Sequence, residues 1–84
     1  MSKRTLMKFY GEWCNPCKIL DEVMKNVDLS GIEYENIDIS TAPDVTAQHR
    51  VRALPTMILL DDEGNEIKRF SGTMNAEALT KWLE

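Results

Sequence analysis

Trp13-Cys14-Asn15-Pro16-Cys17-Lys18 carries the only two cysteines of the chain, and their reading decides the rest. Immediately upstream, Thr5-Leu6-Met7-Lys8-Phe9-Tyr10 is short, apolar and partly β-prone, which predicts a strand ending at Gly11. From Cys14 to Val27 the spacing is helical: Ile19, Val23 and Val27 recur at every fourth position, with Leu20 and Met24 beside them. Pro16 falls in the first turn, where a missing N–H costs nothing. Cys17, Leu20, Met24 and Val27 share one flank of such a helix, so Cys17 is expected to face inward. Cys14 is expected at the helix tip, within reach of solvent.

Thiol–disulfide exchange needs a thiolate to attack and a second thiol close enough to resolve the mixed disulfide. A pair separated by Asn15-Pro16 at a helix start meets both needs. The unpaired N–H groups and the dipole of the helix favour negative charge at Cys14, and Cys17 waits one turn in. Three blander readings stay open on the residues alone. A structural disulfide here would close a very short loop and join nothing distant. A zinc site needs further ligands, and His49 is the only histidine, although a metal or cluster shared by two chains through Cys14 is a distinct possibility. The pair could also stay reduced without a role.

Working outward, Asp28 to Gly31 breaks the helix and Ile32 to Ile39 alternates as a second strand, apolar at Ile37 and Ile39. Thr41-Ala42-Pro43-Asp44 has cap and first-turn chemistry and opens a short helix ending near Arg50. Thr56-Met57-Ile58-Leu59-Leu60 is nearly all apolar, as in a central strand buried on both faces. Asp61-Asp62-Glu63-Gly64-Asn65 reads as a solvated hairpin loop into a fourth strand, Glu66 to Ser71, and Gly72 interrupts the chain. Asn75 caps a last helix that buries Ala76, Leu79 and Leu83. His49 is expected at the surface, and the methionines are expected to fill the core. The order βαβ, short helix, ββα predicts an α/β fold: one domain over residues 1–84, with one mixed sheet between helices.

Composition narrows the partners. With 14 acidic residues against 10 Lys and Arg, the chain is acidic, which weighs against nucleic acid and against an anionic membrane surface. No apolar run approaches the roughly 18 residues needed to span a bilayer. The basic start, Ser2-Lys3-Arg4, is followed by no apolar stretch of signal-peptide length before Lys8. A cytoplasmic, reducing setting follows as the expectation, and there a lone cysteine pair is catalytic or metal-binding more often than a permanent cross-link.

Phe9-Tyr10-Gly11-Glu12-Trp13-Cys14-Asn15-Pro16-Cys17-Lys18 resembles the active-site stretch of thioredoxins, and Val51-Arg52-Ala53-Leu54-Pro55-Thr56 resembles their cis-proline loop. Asn36-Ile37-Asp38 and Ser71-Gly72-Thr73 fall where related segments sit, so the likeness runs from about Leu6 to Leu83. It implies a thioredoxin-like fold with a four-stranded mixed sheet flanked by three helices, lacking the extra N-terminal strand and helix of full-length members. It implies that Cys14 is the nucleophile and Cys17 the resolving thiol. Pro55 matches the cis-proline, the Leu54 backbone would pair with an extended substrate segment, and Trp13 and Gly72 match the apolar rim. The implied activity is reduction of protein disulfides by a monomer, with no metal and no cofactor beyond the Cys14–Cys17 disulfide. The oxidised pair would be recycled by a disulfide reductase or by glutathione.

Two departures concern the site. Asn15 replaces the usual glycine between cysteine and proline. Lys8 stands where the family usually has a buried acid that shuttles protons for the resolving thiol. Lys8 is read here as reaching out to water; the alternative is an ammonium that favours the Cys17 thiolate, or a neutral base. Two other functions remain to be weighed: a glutaredoxin-like, glutathione-dependent reductase, whose size the chain shares, and a non-catalytic protein-binding module using the Trp13–Pro55–Gly72 surface. Thr73-Met74-Asn75 lacks the acidic pattern that glutaredoxins often carry after that glycine.

Overall fold

In the computed structural model, which describes residues 3–84, four strands and three helices follow one another as β1 (Arg4–Tyr10), α1 (Asn15–Met24), β2 (Ile32–Asp38), α2 (Pro43–Gln48), β3 (Thr56–Leu60), β4 (Glu66–Ser71) and α3 (Ala76–Trp82). The strands form one mixed sheet in the order β2-β1-β3-β4. β1 runs parallel to β2 and antiparallel to β3, which is antiparallel to β4. The βαβ crossover and the β3–β4 hairpin are therefore the two halves that the sequence pattern suggests.

The period-two alternation of a strand sends β1 side chains to opposite faces. Leu6 joins Leu20 and Met24 of α1, Leu79 and Leu83 at α3, and Met57 and Leu59 of β3 in one cluster. Met7 and Phe9 join Ile58 on the other face, against Ile37, Ile39, Val45, Val51 and Leu54. Both faces of β1 and β3 are thus covered, and Leu6, Phe9, Met57, Ile58 and Leu59 are fully buried. Burial of side chains this size contributes roughly 1.5–3 kcal/mol each, so the two central strands form a rigid base for the segments at their ends.

Three boundaries differ from the sequence pattern for local reasons. α1 ends at Met24 rather than Val27: the N–H groups of Lys25, Asn26 and Val27 donate to Glu22, Val23 and Met24, three residues back, which tightens the last turn. α2 ends at Gln48, and Arg50 takes a left-handed backbone conformation with φ 54° that no helix continues. β2 ends at Asp38, one residue short of Ile39. On α1, Ile19, expected in the apolar repeat, is 58% exposed. The buried flank of α1 is the narrower stripe Cys17, Leu20 and Met24.

The β3–β4 loop is more organised than a merely solvated one. The Asp61 carboxylate accepts from the N–H groups of Glu63 (2.9 Å) and Asn65 (2.8 Å), and Asp61 N–H donates to Asn65 C=O (2.8 Å). These bonds, that from the Asn65 backbone foremost, hold the Asp61 carboxyl below its ordinary value. A depressed carboxyl contributes stability above its unfolded value and loses it as pH falls through the folded one. Protection of the Glu63 and Asn65 amides, taken relative to the free-peptide exchange rate at each pH, should therefore fall on acidification below about pH 4. In Asp61→Ala the same amides should be weakly protected at every pH.

Candidate active site

Cys14 is the N-cap of α1, with an extended backbone (φ −89°, ψ 104°), and its Sγ accepts the Cys17 N–H at 3.1 Å. A sulfur in the N-cap position meets one of the helix's orphan donors, as a serine or aspartate oxygen would. Cys17 follows in the first turn of α1, and the two residues are joined as a disulfide with Cα atoms 5.3 Å apart. Cys17 is 1% exposed and Cys14 7%, so Cys14 is the outer sulfur-bearing residue, though more covered than the sequence suggested. The reason is local, since the sulfur that caps the helix is drawn back over its first turn. Asn15, Pro16 and Lys18 are exposed around it.

Trp13 is 65% exposed. Its ring lies across Gly11, where an added Cβ would come within 2.9 Å of the indole, so the absence of a side chain at Gly11 leaves room for the ring. Trp13 also forms one wall of a groove of about 330 Å³, together with Ile39, Val51, Ala53 and Leu54, and with Thr46 and Arg52 as its polar members. Thr46 escaped the sequence reading, and Ile39, Val51 and Arg52 entered it only as strand and loop residues, not as groove residues. They come from α2 and two loops, and only the folded chain brings them opposite Trp13.

The far side of the groove is the loop into β3. The Leu54–Pro55 peptide bond is cis, and Pro55 is fully buried. The Thr56 hydroxyl donates to Ala53 C=O at 2.6 Å, and with its proton so placed it accepts from Ser71 Oγ at 2.9 Å. Gly72 N–H donates to Pro55 C=O at 2.8 Å. Gly72 has φ 111°, a conformation that a side chain disfavours. The Thr56–Ser71 and Gly72–Pro55 bonds thus tie the proline loop to the end of β4, while the Thr56–Ala53 bond closes the loop on itself, and the parts played by Thr56 and Ser71 are visible only once β3 and β4 pair.

Lys8 overturns the expectation that it reaches water. It is 0% exposed, on the face of β1 shared with Leu6, and its register partner Met57 is also fully buried. β1 is an interior strand and this face is covered by α1, so the stem has no route to solvent. Its ammonium instead forms an ion pair with Asp21 of α1, whose side chain is 46% exposed, and lies 5.5 Å from the Tyr10 ring centroid. Asp21 was missed by the sequence reading. Its position one turn after Cys17, beside an otherwise apolar flank, was the available signal. His49 is half-buried, with its ring 6.0 Å from that of Phe9.

A thioredoxin family model matches residues 1–84. The chain belongs to the thioredoxin family. It is 35% identical over 80 residues to thioredoxin of Chlamydia trachomatis, a match covering 93% of this chain and 78% of that protein. To the SPbeta prophage-derived thioredoxin-like protein YosR of Bacillus subtilis it is 36% identical over 67 residues, with 80% of each chain covered. Among solved structures, a mutant thioredoxin from Halobacterium salinarum superposes with a TM-score of 0.87 at 26% identity, over 99% of this chain and 74% of that one. Thioredoxins act on protein disulfides together with a reductase, and need no cofactor beyond their own disulfide. The chain is accordingly a thiol–disulfide oxidoreductase with a CxxC pair at Cys14 and Cys17. Among the described residues no group of three or more His, Cys, Asp or Glu is arranged to hold a metal ion, and no helix is long and apolar enough to cross a membrane.

Proposed function

We propose that the chain, acting as a single-domain monomer in the cytoplasm, reduces disulfides in extended protein segments laid along the Trp13–Leu54 groove. The observation that carries this reading is the bonded Cys14–Cys17 pair at the head of α1, with Cys14 the more exposed and Trp13 beside it. The Cys14 thiolate attacks the substrate disulfide, releasing one substrate thiolate and leaving a mixed disulfide. Cys17 then attacks Cys14, releases the second substrate thiolate and restores the disulfide seen here. Helix N–H groups at the N-cap stabilise the Cys14 thiolate before attack. Among the described residues, no backbone hydrogen bond within the fold engages Leu54, which supports its pairing with an incoming strand. Trp13 and Gly72 flank that strand, and Asn15 and Pro16 form the exposed rim in front of the sulfurs.

The proposed reductant is a disulfide reductase of the thioredoxin type. The test is insulin reduction by the pure protein, recycled in parallel by a thioredoxin reductase and by glutathione with its reductase. Faster turnover with thioredoxin reductase is expected. Preferential recycling by glutathione would support the glutaredoxin-like alternative. No turnover with either, combined with partner capture that survives serine at both cysteines, would support a non-catalytic binding module.

A further inference from the structure

A lysine with no solvent exposure is rare unless its charge is met, because moving an ammonium out of water is costly. Lys8 meets one carboxylate, that of Asp21, and has the Tyr10 ring 5.5 Å away and the apolar layer of Leu6 and Met57 around its stem. Asp21 and Cys17 stand four positions apart on α1, so their Cβ atoms lie about 6 Å from each other along one face of the helix. The ammonium bonded to Asp21 is therefore held beneath the turn that carries Cys17. The interior has low polarisability, so a charge there acts over such a distance more strongly than one in water. We propose that Lys8 is a positioning residue for the redox step: its buried ammonium stabilises the negative sulfur of reduced Cys17, and Asp21 limits that stabilisation by neutralising part of the charge.

The step balances as follows. Two electrons from a dithiol reductant cleave the bond between the Cys14 and Cys17 sulfurs, while the reductant becomes a disulfide and gives up two protons. The Cys14 sulfur exchanges its proton with solvent. The Cys17 sulfur keeps its new electron pair opposite the ammonium and takes up less proton than it would against an apolar wall. Lys8 thus shifts the balance between disulfide and dithiol forms toward the dithiol, and makes Cys17 ready to attack when the mixed disulfide forms. The other ionisable neighbours of Asp21 do not replace this effect. The Tyr34 hydroxyl is pushed up to about 12, chiefly by burial and then by the Asp21 charge, so it is neutral in working conditions. Lys25 is exposed and bonds to Glu22.

This inference rests on the dithiol–disulfide cycle proposed above, but its test reads an equilibrium and not turnover, so the two can fail separately. Wild type, Lys8→Met and Asp21→Asn are equilibrated against mixtures of reduced and oxidised dithiothreitol. The ratio of dithiol to disulfide protein is read by alkylation and gel shift, and far-ultraviolet circular dichroism confirms the fold. Lys8→Met, of similar length and apolar, should shift the ratio toward disulfide by about tenfold, equivalent to about 30 mV for a two-electron couple. Asp21→Asn should shift it several-fold the other way. In a Cys14→Ser background, ultraviolet absorbance at neutral pH should show less Cys17 thiolate in Lys8→Met and more in Asp21→Asn. A purely structural pair would move neither readout, or would move both variants in one direction; either result overturns the proposal. Should Lys8→Met not fold, Asp21→Asn decides alone, and an unchanged ratio or a shift toward disulfide refutes the idea.

Discussion

Cys17→Ser is expected to halt the reaction after its first half, with the substrate left covalently attached through Cys14. Cys17 is the only other thiol in the chain, and the structure holds it bonded to Cys14 one turn into α1. Serine keeps the shape but cannot displace a sulfur. Incubation with a disulfide-bonded substrate such as insulin should then give a mixed disulfide that is stable until an external thiol is added. Cys14→Ser should give no adduct, because the remaining Cys17 is covered. Turnover should drop at least about a thousandfold in either variant, as removal of one member of a nucleophilic unit disables the whole. Non-reducing gels with mass spectrometry check both outcomes. An adduct forming equally well in Cys14→Ser would reverse the assignment of the two roles.

The second large effect concerns the base on which the site stands. Phe9 is fully buried on β1, in the cluster with Met7 and Ile58, and Val51 and Leu54 of the groove pack on that cluster. Phe9→Ala removes the ring and leaves a cavity between the sheet and the α2 side, a change that costs about 3–5 kcal/mol. Small proteins of this kind have only about 5–15 kcal/mol in total. The midpoint of thermal unfolding should fall by about 12–40 °C, on the scale of 4–8 °C per kcal/mol for a domain of this size. Circular dichroism melting of the oxidised protein measures this. A fall of only a few degrees would mean that the α2 face is not closed over β1. Insulin reduction by the folded fraction should weaken as well, because the apolar wall under Leu54 is gone.

Much of this architecture was legible in the sequence because its signals are local and periodic. The Thr56–Leu60 run, the helical spacing after Cys14 and the Asn75 cap each name an element without reference to the others. The cap is confirmed by Asn75 Oδ1 accepting the Ala78 N–H at 2.8 Å. Ile19 shows the limit of periodicity: a repeat at every fourth position is apolar along a wider arc than the sheet covers, and the covered arc is set by where β1 and β3 lie. Lys8 shows another limit. A lysine in a strand reads as a residue that reaches water, unless one knows that the strand is interior and that a carboxylate arrives from α1. The Thr56–Ser71 hydroxyl pair joins two strands, and the groove residues Ile39, Thr46, Val51 and Arg52 come from just past the end of β2, α2 and the following loop, which no single periodic pattern links to one another or to Trp13.

Brief alkylation of the freshly reduced protein with iodoacetamide at neutral pH, quenched in acid and mapped by mass spectrometry, tests the division of labour between the sulfurs most directly. The geometry predicts label on Cys14 well before any on Cys17, because Cys14 caps α1 and keeps the greater exposure. Equal labelling, label on Cys17 first, or no labelling of the native protein at all would contradict the account.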